Sequence, residues 1–534
     1  MLPASTRLSP VRVIAGRRLR WIELNRAGEV LLELSPEMPL PLLARGTPVE
    51  HITHAHLLRC HGAKAENLQA PLNFAQAHHL RLGALDRARR TAHLSGTVED
   101  IAAAFPPVDL SKTRVPPALA GVVEAVLDEN GSPGAHRRSV ARTPPVGGLK
   151  KLSRISSGYH FPPVRGLQQT IGLVEFGGGF RRSDIVRFCQ RNRVPVPRIT
   201  VVPIHGREND PVERAAVHTL LEFLGGARQL SEAEQQSARM QAAQATLEVT
   251  MDIEILAALA PGAAIVVYFA HATERGQFGA LHRAVFDERN RPSVLSVSWG
   301  QPELTVSTDG LQAINRLLLT AAHLGISVCA SSGDAGAQKA QADGLPTVNF
   351  PASSPYTLAC GGTHAEFAKG SPPRILRESV WNGLHTSPGG ASGGGVSRVF
   401  PQPSWQRGVG VPLSPVGTRG RGVPDVAGVA DPRVGGELIA ADRPFAAAGT
   451  SAVAPLWAAL IARCNHHLGR RCGWVNAPLY RLGREGKRGL RPVKHGSNDG
   501  YEAADGWNAC AGYGTPDGAA ILAHLAAVKT DGIA

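Results

Sequence analysis

At 534 residues, with 43% apolar content, 59 Gly and 40 Pro, the chain exceeds what one hydrophobic core usually organises and suits a loop-rich protein of two domains. Its 57 Lys and Arg against 43 Asp and Glu give a net charge of +14 and a pI near 9.9, a balance that favours anionic surroundings without selecting any partner. No run of about 20 apolar residues exists, which excludes a helical membrane span, and the opening MLPASTRLSPVRVIAG lacks the apolar centre of a secretory signal.

In chain order, RTAHLSGTVEDIAAAF predicts a strand, a turn and a short amphipathic helix, and PPALAGVVEAVL predicts a second helix opened by proline. Residues 1–130 therefore read as a small α+β domain. Between Gly131 and His160 there is no acidic residue, whereas Arg137, Arg138, Arg142, Lys150, Lys151 and Arg154 stand among Gly, Pro and Ser. Such a stretch is an exposed linker open to proteolytic cutting, assigned to 131–155, rather than a nucleic-acid-binding arm. A main domain is expected over 156–529. There the β-rich runs TIGLVEF, RITVVPI, AAIVVYF, SVLSVS and ISVCAS alternate with helical segments such as SDIVRFCQRN and LQAINRLLLTAAHLG. This alternation predicts an α/β fold, a parallel sheet with helices on both faces, whose chemistry gathers at the carboxyl ends of strands.

Three segments carry that chemistry. In TLEVTMDIEILAALAPG, Glu248 and Asp252 lie four residues apart and share a helix face. Their helical neighbours Gln244, Ala245, Val249, Met251, Ile255 and Leu256 offer no cation. Two close carboxylates in an apolar setting titrate as a pair and suit general-base work in acid, where histidine is protonated. Glu254 points elsewhere. ISVCASSGDAGA delivers Asp334 at a strand's end; protonated, it can donate to an oxyanion. In FAAAGTSAVAPLWAALIARCNHHLG, Ser451 stands at a helix start, where first-turn N–H groups favour developing negative charge. On that segment alone the plainer reading of Ser451 is a helix cap, and a partner base is what turns it towards a nucleophile. No histidine context supports a Ser-His-Asp triad, and neither a P-loop nor a dinucleotide turn is present. Cys60, Cys189, Cys329, Cys360, Cys464, Cys472 and Cys510 are scattered, without metal-ligand spacing. Cys464 and Cys472 are spaced for a local bridge, but the plainer reading of all seven is small buried residues.

Over about residues 150–529 the chain resembles the sedolisin family of serine-carboxyl peptidases, within it most the kumamolisin group. The resemblance rests on EVTMDIEILAALAPGA, SVSWG, SSGDAG, FPASSPYTLACGGT, GGGVSRVFPQPSW, GRGVPDVAG, GTSAVAPLWAAL and GWNACAGYGTPDG, in family order. It implies a subtilisin-like fold and endopeptidase activity in acid, with Ser451 as nucleophile, Glu248 as base, Asp252 as its orienting acid and Asp334 as oxyanion stabiliser. It further implies that Glu175 extends the network behind Glu248 and that Ser298, Trp299 and Gly300 flank bound peptide. The N-terminal region resembles the family's activation prodomain, an intramolecular inhibitor. The partners implied are protein or peptide substrates, with no nucleic acid and no membrane, for a monomer acting outside the cell. A noncatalytic pseudopeptidase on the same fold is the alternative.

The family's calcium site is broken here. The resemblance sets Pro492 where the first aspartate belongs, Val493, Ala504 and Gly506 at carbonyl positions, and Asn508 in place of the second aspartate. A hard cation prefers anionic oxygen, so calcium is expected to be weak or absent unless Asp499 or Asp505 compensates.

Overall fold

The computed structural model describes residues 12–14, 17–19, 27–43, 51–128, 151–164, 166–340, 343–370, 372–384, 389–486 and 488–527; most of the basic linker lies outside them. The N-terminal unit is an antiparallel sheet of β1 (Ala27–Leu34), β2 (Arg81–Asp86), β3 (Thr91–Thr97) and β4 (Val123–Asp128), ordered β2-β3-β1-β4. It carries α1 (His54–Cys60), α2 (Gln69–Ala77) and α3 (Val98–Ala104). Thr97 caps α3 by accepting from the Asp100 amide at 3.1 Å, so the expected strand, turn and helix are present. Val30, Leu32 and Leu34 of β1 pack with Phe74 of α2 and Ile101 of α3.

The helix expected over PPALAGVVEAVL does not form. A 3₁₀ turn over Pro117–Leu119 is followed by β4. Gly121 sits at φ +78 and ends the turn, and the valines beyond it fit a strand that pairs antiparallel with β1.

The larger unit begins with α4 (Leu152–Gly158), whose Leu152 and Ile155 are buried in its core. The expected boundary at 155/156 thus falls inside a packed helix. Next come β5 (Thr170–Phe176), α5 (Arg182–Asn192), β6 (Ile199–Pro203), α6 (Arg214–Leu224), α7 (Ala238–Leu259), β7 (Ala264–Ala270), α8 (Glu274–Val285), β8 (Val294–Val297), α9 (Thr308–His323) and β9 (Ser327–Ser331). β10 (Leu358–Phe367), β11 (Ile375–Val380), β12 (Val426–Val429) and α10 (Gly449–Leu468) follow in chain order. The sheet runs β11-β10-β9-β8-β5-β7-β6, with β12 also on β10, and every pairing is parallel except β10 with β11.

Strand alternation divides the apolar side chains between two layers. Ile265, Val267 and Phe269 of β7 face the cluster holding α7 and α10, whereas Val266 and Tyr268 face α8 and α9. Because β5 lies between β8 and β7, the strand order reverses there, and a crevice opens at the carboxyl ends of β5, β8 and β9.

The N-terminal sheet lies on α8 and α9. Leu31, Ala125 and Leu127 join Phe278, Leu281 and Leu317 in one apolar cluster. Asp309, in the first turn of α9, accepts from the amides of Arg114 at 3.1 Å and Val126 at 3.0 Å. Glu33, 3% exposed, binds Arg316 of α9 at 2.5 Å and Arg90 of its own sheet at 2.7 Å. Arg275 of α8 pairs with Glu29.

This interface is also rich in histidine. The rings of His93 and His205 stand 6.3 Å apart. His93 is half-buried, and burial, then the Arg275 charge, lowers its affinity for a proton. Burial likewise holds His282 down to about 4, against its contact with the Arg89 carbonyl. His51, buried near Arg471 and Arg470, is held to about 4, and His323 is lowered although it contacts the Pro41 carbonyl at 2.8 Å. Each docked histidine resists the proton that it accepts at about 6.5 when exposed. Docking is therefore strongest above 6.5 and weakens as pH falls towards 4. The hydrogen bond from Arg275 lowers the Glu29 carboxyl, so that contact is lost as pH drops below its ordinary 4.5. We expect a chain cut within 131–150 to elute as one species at pH 7.5 and as two near pH 4 in size-exclusion chromatography. His282→Gln should move the separation to lower pH, and a wild-type complex persisting at pH 3.5 would contradict this.

Candidate active site

The loop after β8 connects the candidate residues. Ser298 Oγ donates to Asp252 Oδ2 at 2.5 Å and lies 3.2 Å from the Ser451 carbonyl. The Ser298 carbonyl in turn accepts from Ser451 Oγ at 3.2 Å and from Ser331 Oγ, at the end of β9, at 3.0 Å. One residue thus ties α7, β9 and the start of α10 together.

Glu248 and Asp252 face inward from the middle of α7 and are 0% and 1% exposed. A solvated acidic helix face is thereby ruled out for this pair. Thr250, between them, returns its hydroxyl to the Thr246 carbonyl at 2.8 Å. Glu254 is also buried, but accepts from the Ile439 amide at 2.8 Å on another side, and burial pushes its carboxyl well above the ordinary range.

Ser451 is the third residue of α10, and the cap position belongs to Ala448. Asp334 stands before the same helix end. Its Oδ1 accepts from the Thr450 amide at 2.7 Å and the Thr450 hydroxyl at 2.8 Å, and Thr450 Oγ1 also accepts from the Gly333 amide at 3.0 Å. Gly449, at φ +78, lies so close that an added Cβ would stand 2.4 Å from Asp334 Oδ2. Only glycine brings Ser451 and Asp334 this near. The positive end of α10 faces this carboxylate and the Ser451 hydroxyl alike.

Glu175, at the end of β5, is wholly buried and accepts from Trp299 Nε1 at 2.7 Å. Trp299 is itself buried, with its ring edge-on to Phe176. Gly300 follows, packed on the Phe350 carbonyl. The family resemblance set Trp299 and Gly300 beside peptide and Glu175 behind Glu248, but sequence reasoning missed the Ser298 hydroxyl bond to Asp252 and the hold of Thr450 on Asp334. Both come from short polar side chains whose partners are distant in sequence, and only the adjoining GTS and SVSWG motifs hinted at them.

The residues aligned with the family's metal loop do not fit a cation. Asn508, buried, donates its amide to the carbonyls of Val493 at 3.2 Å and Ala504 at 3.1 Å, while its oxygen accepts from the Cys510 and Ala511 amides. A donor thus occupies two carbonyls that a cation would need. Pro492 has no ligand oxygen in its side chain, Gly506 is exposed, and Asp505 turns outward to Lys494 at 2.9 Å. Asp499 is exposed. Among the described residues no cluster of three His, Cys, Asp or Glu is placed to hold a metal, and no helix is long and apolar enough to cross a membrane.

No protein-family model matches the chain. Among curated proteins, kumamolisin from Bacillus sp. (strain MN-32) is 36% identical over 509 residues, covering 89% of this chain and 86% of the relative. Tripeptidyl-peptidase sed5 from Aspergillus fumigatus is 29% identical over 70% of this chain and 65% of its own. Sedolisin from Pseudomonas sp. (strain 101) is 32% identical over 52% and 49%. Of solved structures, Pseudomonas sedolisin, a serine-carboxyl proteinase complexed with pseudo-iodotyrostatin, superposes with a TM-score of 0.58 at 24% identity, over 72% of this chain and 99% of that one. The chain therefore belongs to the sedolisin family of serine-carboxyl peptidases.

Proposed function

We propose that this peptidase is an endopeptidase working in acid through an acyl-enzyme on Ser451, with Glu248 as general base, Asp252 orienting it and Asp334 stabilising the oxyanion. The observation that carries the reading is the buried junction at Ser298, which holds Asp252 and the Ser451 hydroxyl on one residue. In this mechanism Glu248 takes the Ser451 proton as Oγ attacks the peptide carbonyl, then returns it to the leaving amine. Negative charge on the tetrahedral oxygen meets the first-turn amides of α10 and a proton on Asp334. A carboxylate base remains usable where an imidazole is protonated, which matches this site's lack of histidine to acid conditions. Buried donors of this kind contribute on the order of 3–4 kcal/mol each to lowering such a barrier. Trp299, anchored by Glu175, and Gly300 would form one wall of the peptide groove.

The N-terminal unit fits an activation prodomain. It lies on α8 and α9, loses affinity in acid by the histidine argument above, and leads from β4 into the cuttable basic stretch. Such a precursor is inhibited near neutral pH and released under the conditions in which its carboxylates function. Action outside the cell on protein substrates follows from the same reading, and calcium has no role in it.

Mixing processed protein with an activated peptide ester at pH 4 and quenching in denaturant should add one acyl group to the intact mass. Peptide mapping should place it on Ser451, and Ser451→Ala should carry none. An adduct on another residue would overturn the assignment. For the metal loop, excess EDTA should leave the Tm unchanged within about 1 °C in differential scanning calorimetry. Asn508→Ala should lower it, because buried carbonyls and amides lose partners worth about 1–3 kcal/mol. A drop in Tm with EDTA, reversed by calcium, would show that a cation binds there.

A further inference from the structure

At the opposite end of the sheet from Ser451, the amino ends of β5, β7 and β8 and the C-terminal end of α10 border an open surface pocket of about 750 Å³. Four arginines line it, namely Arg198, Arg291, Arg470 and Arg471, and no aspartate or glutamate is among its described lining residues. Arg198 and Arg291 are exposed and, like Arg471, form no ion pair with a described acid. Arg471 instead spends its guanidinium on the carbonyls of Leu324 at 3.3 Å and Arg291 at 3.1 Å, which sets two like charges side by side. Burial and the Arg291 charge lower the affinity of Arg471 for its proton.

A second observation is independent of the arginines. Asn465, on the last turns of α10, lines the same pocket and is 1% exposed. Its oxygen accepts from the Cys472 amide at 2.7 Å, and its buried Nδ2 has no acceptor among the described residues. A buried amide donor without an acceptor is costly, and a bound acceptor would offset that cost. Arg470 and Arg471 also complement the negative end of α10, but Arg198 and Arg291 come from other segments, which that dipole does not explain.

We propose that this pocket is a binding site for a multiply charged phosphate anion of the oligophosphate class. Guanidinium forks match phosphate oxygens, and several charges on one ligand are needed to balance arginines that converge from three segments. Asn465, whose Nδ2 has no acceptor among the described residues, supplies a hydrogen-bond donor at the floor. Because α10 carries Ser451 at one end and Asn465 near the other, such a ligand would rest on the helix that holds the nucleophile.

The test is a calorimetric titration of the full chain with sodium tripolyphosphate at pH 7.5 and 50 mM NaCl. One saturable site is expected, weakened at least tenfold by Arg198→Ala with Arg291→Ala and weakened again at 300 mM NaCl. The exposed pair Arg407→Ala with Arg419→Ala serves as control and should leave the affinity unchanged. Asn465→Leu, with its fold checked by the Tm, should also weaken binding. The proposal is overturned by the absence of a saturable site, by equal weakening in the control pair, or by phosphatidylglycerol vesicles binding as well to the Arg198 and Arg291 variant as to wild type. Each of these would indicate general attraction to a basic surface. Hydrolysis of peptides does not enter the measurement, so this inference stands or falls apart from the catalytic reading.

Discussion

The whole site depends on one polar crossing point, Ser298. Its hydroxyl reaches Asp252 from β8 while its carbonyl receives the hydroxyls of Ser451 and Ser331. Three elements far apart in sequence must converge on this residue, and the β9-β8-β5 strand order is what lets them. The parallel sheet sets the carboxyl ends of β8 and β9 side by side, α7 crosses one face with its two acids inward, and α10 starts where those strands stop. If the sheet were reordered, Asp252 and Ser451 would not meet on Ser298. Buried polar groups of this sort are costly unless fully paired, so the network fixes one geometry rather than several.

A second constraint concerns close approach of the backbone. Gly449 lets Asp334 lie against the turn that presents Ser451, and Thr450 then spends both its amide and its hydroxyl on that acid. Deeper in the core, Asp425 is wholly buried with Arg421 at 2.6 Å and also accepts from Tyr480, Asn476 and the Ala359 amide. Burial raises that carboxyl, chiefly against the pull of Arg421. Breaking such a pair from one side costs about 3–5 kcal/mol, because a buried charge is left alone. The GRGVPDVAG motif thus belongs to the frame that holds β12 against β10, rather than to the reacting atoms.

Much of this was legible in the sequence because the main sheet is built from short, apolar, β-branched runs between amphipathic helices. TIGLVEF, AAIVVYF and ISVCAS each became the strand that their pattern predicts. The i,i+4 carboxylates in an uncharged helical setting announced a buried acid pair, and the Gly-Thr-Ser helix start announced the serine. What failed was PPALAGVVEAVL, where proline and alanine suggested a helix but Gly121 and pairing with β1 decided for a strand. The end of the linker was also misplaced, since Leu152 and Ile155 find apolar partners that a local charge count does not see. The bond from Ser298 to Asp252 and the Asn508 amide in place of a cation were invisible for a different reason. Each depends on which atom of a small polar side chain faces which distant carbonyl or carboxylate, and no sequence pattern encodes that.

The charge distribution joins the parts of the molecule. Four buried acids, Glu175, Glu248, Asp252 and Asp334, line the crevice side, four arginines the far end of the sheet, and several histidines the seam beneath the N-terminal unit. On the proposed reading, acid is the condition under which the seam loosens and a carboxylate base still works. The most direct test of that account is the rate of hydrolysis of a quenched fluorescent peptide library from pH 2.5 to 8, comparing processed protein with Glu248→Gln. The account predicts activity confined to acid and lowered by at least a thousandfold in the variant, with its fold retained. Activity near neutral pH that survives Glu248→Gln would contradict it.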